Sequence, residues 1–325
     1  SAVFAASAIA LLVAMRAGRL KGAALLCVIA LFMGVDLSIG NGPNESTALP
    51  PEQFDVLRAD TKDPVIGFLL EKLKPSPAPD RRDRIELAAI DFHWPNAPLV
   101  HGLDHDLGYN PIRLKIFEDA TGAGDHLALP SQRIFTKLYP SYRSPMSDML
   151  GLRYIATGVP IEEIDHKFKT GDLVELPKIG NVHIYENKSA LPRAQVTTCA
   201  MHVDFAQMID SGEWPEADYR ETVLLEEPPL CHSRKNLPPD AARARIVSYG
   251  NTDVAIEATA PAGGGWLVLN DVWHPWWFAT LDGVEAPILR ANVIFRAVAI
   301  PEGTHQLRFS FQPMRGLLRE ISLRR

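Results

Sequence analysis

From its first residue the chain runs apolar, pauses on three cations and runs apolar again: SAVFAASAIALLVAM, then RAGRLKG with Arg16, Arg19 and Lys21, then AALLCVIALFMGVDLSI. The second run, Gly22 to Ile39, covers roughly 27 Å at a helical rise, close to the hydrocarbon thickness of a bilayer. The pattern predicts two transmembrane helices over residues 1–39, the first of them truncated, joined by a short basic loop. The chain is therefore expected to begin inside a helix, as a fragment of a longer membrane protein. Short basic loops stay in the cytoplasm, so residues after about 40 are expected to be extracytoplasmic. A secretory signal is the rival reading, and the apolar run ahead of the basic patch argues against it.

Beyond the apolar segments the periodicity changes twice. GNGPNESTALPPEQF reads as a linker. Asp63 to Leu73 has Pro64 at a first-turn position, with Val65, Leu69 and Leu73 on one helical face. RIELAAI, Leu150 to Ile155 and VHIYEN read as strands, Asn110-Pro111 as a turn opening a helix, and Asp204 to Ser211 as a short helix. From Arg243 onward seven short strand-like runs follow at even spacing, with Asp282-Gly283 as a type I′ hairpin turn. The fold class expected is α+β: N-terminal transmembrane helices over 1–39, a mixed α/β extracytoplasmic domain over 40–242, an antiparallel β-sandwich over 243–313 and a basic, amphipathic tail over 314–325.

Charge narrows the partners. A net charge of −6 leaves no basic face for a nucleic acid. The three cysteines, Cys27, Cys199 and Cys231, have no zinc-site spacing. Cys199 and Cys231 are left as a disulfide in an oxidising compartment or as two separate thiols. His93, His101, Asp104, His105 and Asp106 form the densest group of possible metal ligands, but fit no zinc-enzyme pattern, and a solvated loop is the preferred reading. No metal or cofactor is expected.

The stretch NDVWHPWWFATLDG, residues 270–283, holds three of the chain's six tryptophans. Strand alternation turns Trp277, Ala279 and Leu281 toward a core and Trp276, Phe278 and Thr280 to the opposite face. His274-Pro275 breaks the ladder, so the strands on either side are expected to belong to different edges or sheets. Trp273 and Trp276 remain as candidates for stacking on a sugar face.

The motifs GYNPIRL, MLGLRYIATG, HIYENKSALPRA and WLVLNDVWHPWWFATLDGVEAPILRANVIFRAVAIPEGTHQLRFSFQP occur here in that order. Together they resemble the YfhO-like bacterial membrane proteins, over roughly residues 36–313. Members look related to GT-C glycosyltransferases, which transfer sugars from polyprenyl-phosphate carriers, some of them onto cell-envelope glycopolymers. The resemblance implies a polytopic protein of the bacterial cell membrane whose catalytic residues lie outside this stretch. It implies the bilayer, a polyprenyl-phosphate sugar and an envelope glycopolymer as partners. Arg113 and Arg193 stand inside the motifs and are the positions offered for contact with a phosphate or an acidic sugar. A non-catalytic carbohydrate-binding or purely structural ectodomain is the alternative.

Overall fold

A computed structural model of the chain describes residues 2–18, 22–40, 51–73, 81–108, 112–122, 127–227 and 241–323. Arg19, Lys21, Asn110, Pro111 and Cys231 lie outside the described residues, and so do the expectations that fall on them. Residues 1–55 and 56–325 make two compact units.

The first unit holds α1, Ala2–Arg16, and α2, Gly22–Gly40. Within α2, Gly22–Ile39 is 18 residues with a mean hydropathy of 2.2, and none of it is buried. That is an apolar N-terminal helix of the kind that serves as a membrane anchor or a signal sequence.

The second unit is α+β. It opens with α3 (Pro64–Leu73), β1 (Arg84–Ala88), α4 (Ala97–His101), α5 (Lys115–Thr121), α6 (Pro145–Met149), β2 (Leu152–Thr157), β3 (Val174–Ile179) and β4 (Val182–Glu186). It continues with β5 (Ala194–Thr197), β6 (Cys199–His202), α7 (Phe205–Ser211), β7 (Thr222–Leu225), β8 (Arg243–Tyr249), β9 (Asp253–Ala260) and β10 (Gly265–Leu269). The last elements are β11 (Trp277–Leu281), β12 (Val284–Ala286), β13 (Leu289–Ala291), β14 (Phe295–Ile300), β15 (Gly303–Phe311) and α8 (Pro313–Leu323).

A four-stranded sheet, β1-β2-β4-β3, pairs β1 parallel to β2 and the others antiparallel. Asp63 caps α3 by accepting from the backbone N–H groups of Val65 (2.8 Å) and Ile66 (3.1 Å). The helix then lays Val65, Ile66 and Leu69 on Ile85 and Leu87 of β1. The opposite face of β1 carries Glu86 and Ala88 toward a second core built around Tyr139, Tyr142, Met146 and Ile155.

The other two sheets are β5-β10-β14-β13-β7-β6 and β12-β11-β15-β9-β8. Burial along β9 alternates without a break, so that Val254, Ile256, Ala258 and Ala260 point inward. They meet Val196, Leu267, Leu269, Val298 and Ile300 from the six-stranded sheet in one common core. Central strand β10 is buried on both faces, Leu267 and Leu269 one way, Trp266 and Val268 the other. The expected boundary at 242/243 is crossed by the six-stranded sheet, because β5 and β7 precede residue 243 and pair with β10 and β13, which follow it. Pairing with β10 satisfies the backbone of β5, a requirement that a change of composition along the chain does not reveal. The expected basic tail folds as α8, continuous with the end of β15.

Asp282 and Gly283 take φ values of 50° and 83°, the positive pair that the hairpin between β11 and β12 demands. Strand β10 ends in the six-stranded sheet and β11 begins in the five-stranded one. The segment around His274-Pro275 therefore carries the chain from one sheet to the other.

Candidate functional site

That crossing segment builds a cavity. Trp273 is fixed by its backbone N–H donating to the Ile294 carbonyl (2.7 Å), and Trp277 by donation to the His274 carbonyl (3.1 Å). The Trp276 carbonyl accepts from the N–H of Gln312 (2.9 Å), tying the segment to the chain as it enters α8. A space of about 510 Å³ opens between this segment, the β12–β13 connection and α8, within the size range of small-molecule sites. Trp273, His274, Trp276, Glu285, Arg319 and Glu320 supply its aromatic and polar lining.

Helix α8 closes against Trp276. Its Gly316 lies so close to the indole that a Cβ there would overlap the ring. One turn on, Glu320 accepts the indole N–H at 2.9 Å. Arg315 clamps Glu285 with two contacts, 2.9 and 2.7 Å, and stacks its guanidinium 4.0 Å from the Phe278 ring. Trp276 also meets His274 edge to face, with ring centroids 5.0 Å apart.

The protonation of His274 follows from its contacts. Its Nδ1 accepts from the backbone N–H of Trp276 (3.2 Å), so the neutral ring carries its proton on Nε2. Burial pushes the imidazole pKa down, against the opposing pull of Glu320, so the ring is neutral at physiological pH. The cavity thus presents aromatic faces, an imidazole donor, the exposed Arg319 and a carboxylate. A set of this kind can stack on and hydrogen-bond a polyhydroxylated ring, and Arg319 would add attraction for an acidic substituent.

The structure brings the two tryptophan candidates together, both half-buried on the cavity wall. Trp277 packs on the core shared by the two sheets with Ala279 and Leu281, as alternation predicts. The two arginine candidates lie elsewhere. Arg113 is half-buried and donates to the Gly108 carbonyl (3.0 Å). Arg193 is buried, and the acids it contacts are internal: Asp271 at 3.0 Å and Asp104 at 3.0 Å, with Tyr249 at 2.8 Å. Its guanidinium is enclosed by protein, which corrects its assignment to an external phosphate or acid.

The expected solvated loop is also corrected. His101 ends α4 and bonds the Val56 carbonyl (2.8 Å), while Asp104 pairs with Arg82 and Arg193. Asp106 lies beside Glu86, which takes Arg133 at 2.9 Å and the Tyr142 hydroxyl. Burial, then the neighbouring Glu86 charge, pushes the Asp106 carboxyl well above the usual range. These groups fold inward because β1 carries Glu86 and Arg84 into the protein interior, where each needs a partner. No cluster with the makings of a metal site occurs among the described residues.

Sequence reading missed Glu285, Arg319 and Glu320, which reach the cavity from β12 and α8. The amphipathic pattern of residues 315–325 was the available signal, but it does not say which face meets Trp276. Cys199 is disulfide-bonded, whereas Cys27 is free and exposed. Neither a protein-family model, nor a curated protein, nor a solved structure matches the chain.

Proposed function

We propose that the chain is the extracytoplasmic part of a bacterial cell-membrane protein of YfhO-like type, anchored by its N-terminal apolar helices. Its role is to hold a sugar unit of an envelope glycopolymer, or of its polyprenyl-phosphate donor, during transfer. The two sheets that share one core are read as the β-sandwich supporting the site. The cavity between Trp273, Trp276 and α8 carries the reading, because aromatic walls with an imidazole, a guanidinium and a carboxylate suit a sugar. A disulfide at Cys199 fits an oxidising compartment. The cavity is assigned a binding role and no reaction step.

The test is titration of the full chain in a sugar-free zwitterionic detergent with neutral sugars, uronic acids and glycerol-phosphate oligomers, read by tryptophan fluorescence and calorimetry. Saturable binding is expected, weakened tenfold or more, about 1.4 kcal/mol, by Trp273→Ala. Arg319→Gln is expected to weaken acidic ligands selectively. Absence of binding across the panel, or binding untouched by Trp273→Ala, leaves the structural ectodomain as the correct reading.

A further inference from the structure

Helix α8 has two unlike faces, and only one of them is used by the protein. Gly316 and Glu320 meet Trp276, and Arg315 reaches Glu285, so the helix is seated by specific contacts along one side. On the other side Met314, Leu317, Leu318 and Ile321 are exposed, at 72%, 42%, 65% and 46% of their full accessibility. Their spacing, i, i+3, i+4 and i+7, is one continuous helical stripe. A stripe of this kind on a helix already fixed by its polar side is displayed outward by design of the sequence.

We infer that this face of α8 lies in the interfacial layer of an anionic lipid bilayer. Three observations select lipid over protein. The chain carries a helix with the length and apolarity of a membrane anchor, Gly22–Ile39. Tethering keeps the local lipid concentration high, so an 11-residue helix too short to bind strongly alone suffices. Charge selects the lipid class: Arg324 and Arg325 follow the stripe in sequence, while the chain as a whole carries −6. Arginines flanking an apolar stripe suit anionic headgroups, to which their heads extend while the stems stay in apolar surroundings. The inference rests on the membrane-anchored half of the proposed function and is independent of the sugar. Because α8 also walls the cavity, the site it encloses would open beside the membrane surface.

The experiment uses the full chain reconstituted in phosphatidylcholine–phosphatidylglycerol vesicles with nitroxide-labelled lipids. A bimane label on native Cys27 reports the anchor; a label on Leu318→Cys in a Cys27→Ser background reports α8, and Val247→Cys on β8 serves as an exposed control. Cys27→Ser without an added cysteine gives the background. The expected result is quenching of Cys27 by deep nitroxides, of Leu318→Cys by shallow ones, and no quenching of Val247→Cys. Leu318→Cys quenched no more than Val247→Cys, with Cys27 quenched, overturns the inference and leaves the anchor standing. Loss of quenching at Cys27 overturns both. Self-quenching of Leu318→Cys that depends on protein concentration and not on nitroxide lipid identifies a second copy as the occupant and also overturns it.

Discussion

Asp271→Asn is the substitution to which the fold should be most sensitive. Asp271 lies where β10 ends, and a single carboxylate there serves three buried guanidiniums from separate elements. Its Oδ1 accepts from Arg84 (2.9 Å) and Arg193 (3.0 Å), and its Oδ2 from Tyr249 (2.7 Å), with Arg296 at 3.2 Å. Burial alone would raise its pKa, but Arg193, Arg296 and Arg84 together overrule it and hold the carboxyl well below the usual range. In the variant, Arg84 keeps the carbonyls of Leu150 and Asn270, and Arg193 keeps Asp104. Arg296 keeps only the long contact from Nε to the Asp271 carbonyl (3.4 Å) and the faces of Trp277 and Phe309. Removing one partner of a buried ion pair costs about 3–5 kcal/mol, and the surviving contacts place this case at about 3–4 kcal/mol. At an m-value of about 3 kcal/mol/M, the urea midpoint should fall by roughly 1 M, with the slope unchanged. Because the folded pKa is depressed, the stability it supplies is present above the unfolded value of about 3.9 and is lost as pH falls through the folded one. The gap between wild type and variant should therefore be constant at neutral pH and narrow only below about pH 4. A loss under about 1 kcal/mol at pH 7 would show that the three arginines are satisfied without Asp271, and would refute the reasoning.

Two further substitutions probe the other buried contacts. Gly316→Ala should loosen α8 from Trp276, costing about 1–3 kcal/mol through overpacking and red-shifting tryptophan emission; a gain of about 1 kcal/mol, the intrinsic helix preference for alanine, would mean that the helix sits off the indole. Asp106→Asn replaces a carboxyl whose pKa is pushed up by burial and by Glu86 with an amide that does not titrate. The folded pKa of Asp106 is raised, so its contribution is present below about pH 3.9 and is lost as pH rises toward the folded value. The variant should gain on wild type as pH rises above about 4, by at most about 1.4 kcal/mol per pH unit, and a flat difference in paired urea titrations rejects the raised pKa.

What sequence patterning made legible, and what it did not, divides along physical lines. Local signals sufficed where the backbone itself sets the structure. Asp63-Pro64 opens α3, Asp204 caps α7 by accepting from Gln207, and Asp282-Gly283 turns the hairpin. Alternation placed Trp277, Ala279 and Leu281 inward because β11 has one face on the core. It could not show that β5 and β7 pair with strands after residue 243, since strand pairing is decided by partners distant in sequence. Nor could it place Arg84 and Arg193, which look like surface arginines and are buried only because Asp271, far along the chain, faces both.

The cavity lies on the same divide, and this sharpens the case for its function. Trp276 stands out in the sequence as an aromatic on the outer face of a strand, where exposure would make it an open stacking platform. Helix α8 claims its indole N–H through Glu320 and crowds its ring with Gly316, so the ring is the wall of an enclosure rather than a flat platform. A flat aromatic platform would need only Trp276. An enclosure needs α8 in place as well, so ligand affinity should depend on Gly316 and Glu320 as well as on Trp273. Binding lost in Glu320→Gln beyond what the indole hydrogen bond explains would point to direct ligand contact by that carboxylate. Equal binding in wild type and Gly316→Ala would instead locate any bound ligand on Trp273 alone, outside the space that α8 closes.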